Sequence, residues 1–276
     1  GLLLALALTL LLPGVASAQD GPIADVDDAH RAVVHIVSFG SFRPVGTDEN
    51  ELIGGEGSGF IVDPEGIVVT NADVVNGGNL FQVYLDGEDQ PRNAALLGVS
   101  ECSDLAVLDI RGSGFPYLTW QGSPAFRGQN VWALGYPNGS YRETKGEVLD
   151  AGERVDTHWA AVENVVAHDA RLRPGNSGGP LLDGNGSVLA VNYAGVTRRP
   201  IYEGIAAGLA APIVDILRQG QDVDSIGING EAFVSAEDEY GIWVVAVESG
   251  SPADQAGLQP GDVLTALEDL PVGYDE

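Results

Sequence analysis

Two sets of strand-length apolar runs, about six in each, follow one another along this chain, separated by glycine-rich or polar turns. The first set covers residues 32–39, 59–62, 67–70, 80–85, 94–99 and 105–110. The second covers 131–136, 146–149, 164–168, 180–182, 188–191 and 205–210. Runs this short at this spacing belong to an all-β barrel or sandwich, not to a helical bundle. Two such sets predict two small six-stranded barrels side by side. The 38 glycines suit the many tight turns this needs, and 276 residues are enough for a sizeable core and about two domains.

After the second set, residues 212–219 read as a short helix with Gly220 as its C-cap. Residues 221–276 differ in character. They carry Ile226-Gly227-Ile228, a strand at 241–247, and Ser251-Pro252, which starts a short helix that Gly257 ends. At the other end, residues 2–12 are almost entirely apolar, Pro13-Gly14 breaks the run, and Ala16-Ser17-Ala18 supplies a cleavage site before Gln19. A membrane-spanning helix needs about 20 apolar residues, and this run is shorter. The expected organisation is a signal peptide at 1–18, whose charged start is missing, and a flexible lead-in at 19–29. The barrel unit covers 30–220, and a separate module covers 221–276. The mature chain then works outside the cytoplasm, secreted or periplasmic, without stable membrane insertion.

Forty acidic against 13 basic residues give a formal charge of −27, and Lys145 is the only lysine. Such a surface repels nucleic acid and anionic membrane. Its plain consequence is solubility, in the manner of proteins from salty media. Cys102 is the only cysteine, so no intrachain disulfide forms and the core alone holds the fold. Its expected role is that of a small buried or half-buried thiol.

The chemistry concentrates in Pro174-Gly175-Asn176-Ser177-Gly178-Gly179-Pro180. A serine in a glycine-rich turn presents its hydroxyl at a surface, with flanking N–H groups free to bind an oxyanion. The candidate nucleophile is Ser177, and the candidate oxyanion donors are the amides of Gly175 and Ser177. A serine hydroxyl is a poor nucleophile until a base takes its proton, and the usual base is an imidazole oriented by a carboxylate. Asp104, at the start of an apolar strand, supplies the carboxylate. The segment Val69-Thr70-Asn71-Ala72-Asp73-Val74-Val75, where the base is expected, has Asp73.

These segments resemble the HtrA/Deg-type trypsin-like serine proteases. The resemblance rests on Gly57-Ser58-Gly59-Phe60-Ile61-Val62, Val69-Thr70-Asn71, Asp104-Leu105-Ala106-Val107-Leu108, Ala133-Leu134-Gly135-Tyr136-Pro137, residues 174–182 and Gly204-Ile205-Ala206, in the family's order. It implies a chymotrypsin-like pair of barrels with the active site between them, followed by an α+β PDZ domain that ends early at Glu276. Positions 73, 104 and 177 follow the base, acid, serine order of such barrels. The resemblance further implies that Asn192-Tyr193-Ala194 line the primary substrate pocket, where the family mostly prefers small aliphatic side chains. Ile226-Gly227-Ile228 then belong to the loop that holds a peptide's terminal carboxylate. Implied partners are unfolded proteins or peptides, in a possible homotrimer; no cofactor is expected, and no metal.

The family motif is Thr-Asn-x-His-Val-Val, and this chain has Asp73 at the histidine position. A carboxylate is shorter than an imidazole and, at a reference pKa of about 3.9 against about 6.5, a weaker base. It also faces Asp104, and two nearby carboxylates resist ionising together. Two functions stay open: an impaired extracytoplasmic serine endopeptidase, or a catalytically inactive relative that holds extended chains without cutting them. An isolated codon change in an ordinary protease is a third reading. His30, His35, His158 and His168 are expected as surface or core histidines rather than substitute bases.

Overall fold

The computed structural model describes residues 21–42, 51–156, 161–193, 201–223, 226–234, 240–247, 249–267 and 270–272. The signal-like segment and its cleavage site, His158, Ala194 and Ser225 lie outside the described residues.

A short 3₁₀ turn, Val26–Ala32, leads into the first barrel. Its strands are β1 (Val33–Phe42), β2 (Glu51–Ile61), β3 (Ile67–Thr70), β4 (Leu80–Tyr84), β5 (Arg92–Ser100) and β6 (Leu105–Asp109). They close in the order β1-β2-β3-β6-β5-β4, all antiparallel. A single helical turn, α1 (Ala72–Val75), follows β3. The second barrel comprises β7 (Asn130–Gly135), β8 (Arg142–Asp156), β9 (Ala161–His168), β10 (Pro180–Leu182), β11 (Val188–Tyr193) and β12 (Tyr202–Ala206). It closes in the order β10-β11-β12-β9-β8-β7. The two sets of apolar runs are therefore two closed six-stranded barrels.

Burial explains which runs were easiest to read. Every residue of β3 and of β11 is buried, and β6 is buried up to Asp109, so these strands appear as unbroken apolar stretches. One apolar cluster joins the barrels: Phe60, Ile61, Leu105 and Leu108 from the first meet Leu134, Leu182, Val191 and Ile205 from the second. A smaller cluster, with Val131, Val166, Leu181 and Ala190, fills the second barrel.

Three readings are corrected here. The run 205–210 is not one strand: β12 ends at Ala206 and the chain turns directly into α2 (Ala207–Leu217). That helix starts five residues before the expected position and carries Pro212 inside it. The reason is packing. Ala207, Ala210, Ile213, Val214 and Leu217 are buried at helical spacing, and four of them close the inter-barrel core. The helix end is also earlier, since Arg218 is its C-cap and Gly220 lies beyond it. Strand β8 likewise runs past the apolar run 146–149 on both sides, from Arg142 to Asp156.

Beyond α2, β13 (Ile228–Val234), β14 (Tyr240–Val247) and β15 (Val263–Leu264) form a small sheet, with α3 (Pro252–Ala256) after β14. Ser251 Oγ accepts from the Asp254 amide at 3.2 Å, and Gly257 ends the helix as read from the sequence. A second small ribbon pairs β16 (Ala266–Leu267) with β17 (Leu270–Pro271). Among the described residues, no helix is long and apolar enough to cross a membrane.

Candidate active site

The serine loop is built from two consecutive tight turns. Asn176 N donates to Arg173 O at 2.9 Å, with Pro174 and Gly175 at the centre and Gly175 at φ +94. Proline then glycine is the residue order a type II turn requires. Gly179 N donates to Asn176 O at 3.0 Å, with Ser177 and Gly178 at the centre and Gly178 at φ +81. A Cβ at Gly178 would lie 2.2 Å from both Ser58 O and Thr70 Oγ1, so only glycine fits.

Two residues the sequence reading had not given a role, Ser58 and Thr70, tie this loop to the barrels, and a third, Asn71, holds the Asp104 backbone. Ser58, fully buried in β2, donates its amide to Ser177 O at 2.8 Å and its hydroxyl to Gly175 O at 2.6 Å. The same hydroxyl accepts from Tyr136 N at 2.8 Å. Thr70 Oγ1 donates to Ser58 O at 2.7 Å. Asn71 Nδ2 donates to Asp104 O at 2.7 Å. On the other side, Gly178 N donates to Asn192 O and Asn192 N donates to Gly179 O, both at 2.8 Å. Ser177 itself is buried apart from one edge. Ser58, Thr70 and Asn71 all sit in segments that carried the family resemblance; what was missing was a reason for them, which is the fixing of the loop by Ser58 and Thr70 and of Asp104 by Asn71.

Asp73 and Asp104 meet at the N-terminus of α1. Asp104 Oδ1 accepts the Asp73 amide at 3.0 Å, and its carboxyl also takes the Ala72 amide. Asp104 is 5% exposed and has φ +50, a left-handed conformation that aspartate tolerates better than most residues. Burial, and then the Asp73 charge, push its pKa well above the usual carboxylate range, against the two amides that lower it. The Asp73 side chain is open to the cleft, yet protein crowds the rest of its carboxyl. That crowding raises its pKa to about 6, partly offset by the Val74 amide. The pair holds at least one proton more readily than isolated carboxylates do.

Both aspartates line a cavity of about 330 Å³ with Val75, Leu96, Val99, Glu101, Cys102, Ile226, Ile228 and Ile242. Cys102 is exposed on this wall, not buried as expected, because it lies in the turn between β5 and β6 rather than in the strand. Ile226 is exposed, Gly227 is buried with φ +77, and Ile228 opens β13; this loop therefore faces the aspartate pair. Tyr193, on β11, is buried and donates its phenol to Glu203 on the neighbouring β12 at 2.9 Å. Burial, then Glu203 and Asp104, push that phenol upward.

The described histidines are engaged elsewhere. His30 meets Asp86 at 3.4 Å, and His35 meets Glu56 at 3.0 Å and stacks on Tyr136. His168 is inside the second barrel. Among the described residues no group of three or more potential ligands could hold a metal.

Two closed six-stranded barrels, with a serine loop pinned between them, define the trypsin-like class. Residues 57–191 match the trypsin-like peptidase domain, and residues 243–276 match the PDZ domain. The "Probable periplasmic serine endoprotease DegP-like" of Chlamydia pneumoniae is 37% identical over 227 residues, covering 76% of this chain and 46% of that protein. The "Serine protease Do-like HtrA" of Bacillus subtilis is 30% identical over 296 residues, covering 91% of this chain and 64% of that protein. The solved HtrA-type protease AlgW with tripeptide superimposes with a TM-score of 0.62 at 27% identity, over 89% of this chain and 82% of that one. The chain belongs to the HtrA-type trypsin-like serine protease family. It spans about half the length of the first curated relatives it matches.

Proposed function

We propose that this chain is an extracytoplasmic serine endopeptidase that cleaves unfolded or misfolded proteins through Ser177, with its rate impaired by Asp73. Residues 30–220 form the peptidase unit and 221–276 the PDZ module, behind a cleaved signal at 1–18. Relatives named as periplasmic endoproteases, and a structural neighbour solved with a tripeptide, support the location and the peptide substrate. The observation that carries the reading is the serine loop itself, held on both sides by Ser58 and Asn192.

In this mechanism Ser177 Oγ attacks the scissile carbonyl and its proton passes to the Asp73 carboxylate, which later protonates the leaving amine. Gly175 and Ser177 amides hold the oxyanion. Asp104 fixes the α1 terminus and with it the Asp73 backbone; Asn192 and Tyr193 flank the substrate. Asp73 must be ionised to act as base, so activity rises with pH through about 6. Stability runs the other way. The folded chain keeps the Asp73 proton up to about pH 6 while the unfolded chain releases it near 3.8, so stability falls as pH rises across that interval.

The second reading, a peptide-holding protein without cleavage, is favoured by one observation: Asp73 stands against Asp104, where two carboxylates resist ionising together and no imidazole is present. Casein digestion by the full chain beside Ser177→Ala separates the two. Cleavage that rises through pH 6 and disappears in Ser177→Ala is the expected result; equal turnover by both proteins removes Ser177 from the mechanism.

A further inference from the structure

Four polar atoms inside the second barrel are buried without a hydrogen-bond partner: Nδ1 and Nε2 of His168, and Nδ2 and Oδ1 of Asn192. Both residues are 0% exposed. They are brought together by sheet register. Asn192 on β11 is opposite Gly204 on β12, and Gly204 is opposite Val166 on β9. One step along the same face, Tyr202 is opposite His168. Asn192 and His168 are therefore diagonal neighbours across Gly204, where a Cβ would already lie 2.9 Å from that of Ala190. Tyr202 flanks the pair, its ring centroid 6.2 Å from that of His168. His168 faces the Asn192 amide and the Ala170 backbone, but neither contact closes to hydrogen-bond geometry.

This polar pair adjoins the serine loop. Asn192 exchanges two backbone hydrogen bonds with Gly178 and Gly179, the residues directly after Ser177. Native proteins leave few buried polar groups unsatisfied, and those that persist call for a partner. Burial holds His168 low, at about 4, so at neutral pH its ring is uncharged, with one donor and one acceptor nitrogen. Asn192 adds a second neutral donor and acceptor pair. A neutral set of this kind does not offset the burial of a carboxylate or an ammonium group. It matches a side chain that is itself neutral and both donates and accepts.

We propose that His168 and Asn192 form the polar base of the primary specificity pocket and select a glutamine or asparagine side chain on the acyl side of the scissile bond. The inference rests on the reading of Ser177 as the site serine. It departs from the small aliphatic preference that the family resemblance implies. A site built to hydrogen-bond a substrate group rejects an analogue that lacks the group, because its own polar atoms then stay unpaired.

The test is calorimetric binding to the full chain carrying Ser177→Ala, which does not require turnover. Two peptides are compared, identical except for glutamine or leucine at the acyl-side position. The expected result is binding of the glutamine peptide about tenfold tighter or more. That advantage is lost in His168→Leu and retained in part by His168→Gln. If the variants do not fold, nitrogen-15 NMR of the His168 ring in the parent reads the same contact, and its ring nitrogens shift on saturation with the glutamine peptide. Equal or tighter binding of the leucine peptide overturns the inference while leaving the site reading intact, as do unmoved ring nitrogens at saturation. If neither peptide binds, the reading of Ser177 as a substrate site falls, and the selection falls with it.

Discussion

Asp73→His raises casein cleavage at pH 7.5 about 10³-fold or more, and adding Ser177→Ala abolishes the gain. The expectation follows from the parts already in position. Ser58 and Asn192 fix the serine loop from opposite sides, and Asp104 takes the amides at positions 72 and 73. An imidazole at 73 reaches farther than a carboxylate and finds Asp104 beneath it. The swap also ends the contest between two acids: an ionised Asp104 then stabilises an imidazolium instead of repelling a second carboxylate. The pH profile changes with it, from the titration of a crowded carboxyl near 6 to that of a histidine–aspartate pair. An unchanged rate in a folded Asp73→His protein would place the defect in the loop or the oxyanion amides rather than in the base.

The second large effect is structural. Gly178→Ala destabilises the fold by about 2–5 kcal/mol, adding the left-handed penalty of a non-glycine residue to the cost of forcing a methyl into filled space. The residue sits at φ +81, and the new Cβ would come within 2.2 Å of the Ser58 carbonyl and the Thr70 hydroxyl. Both neighbours belong to the network that ties the serine loop to the first barrel, so the loop moves as well as the barrel. Urea denaturation measures the loss, and a midpoint equal to the parent's would show that the loop is not clamped as described.

The barrels were legible because their central strands are buried on all sides. Residues 67–70, 105–108 and 188–191 read as apolar for the same reason that they are inaccessible to water. The errors arose where one-dimensional pattern and packing part company. Residues 205–210 are apolar throughout, and only the buried spacing of Ala207, Ala210 and Ile213 distinguishes helix from strand there. Cys102 was expected as a buried or half-buried thiol, but a turn places it on an open cavity wall. The serine loop could be recognised from its glycines and proline, and Asp73 from its motif. Their mutual support could not be read, since Ser58 and Ser177 are 119 positions apart in the sequence. The pairing of His168 with Asn192 is further out of reach. It depends on a diagonal across three strands, which sequence spacing does not encode.

Labelling of Ser177 by a serine-directed phosphonate, followed by peptide mass spectrometry across pH 4–8, tests the central claim most directly. The account predicts a single adduct on Ser177, absent from Ser177→Ala, forming faster as pH rises through about 6. A folded chain that stays unlabelled at every pH would contradict it, and would leave peptide holding without cleavage as the function of this site.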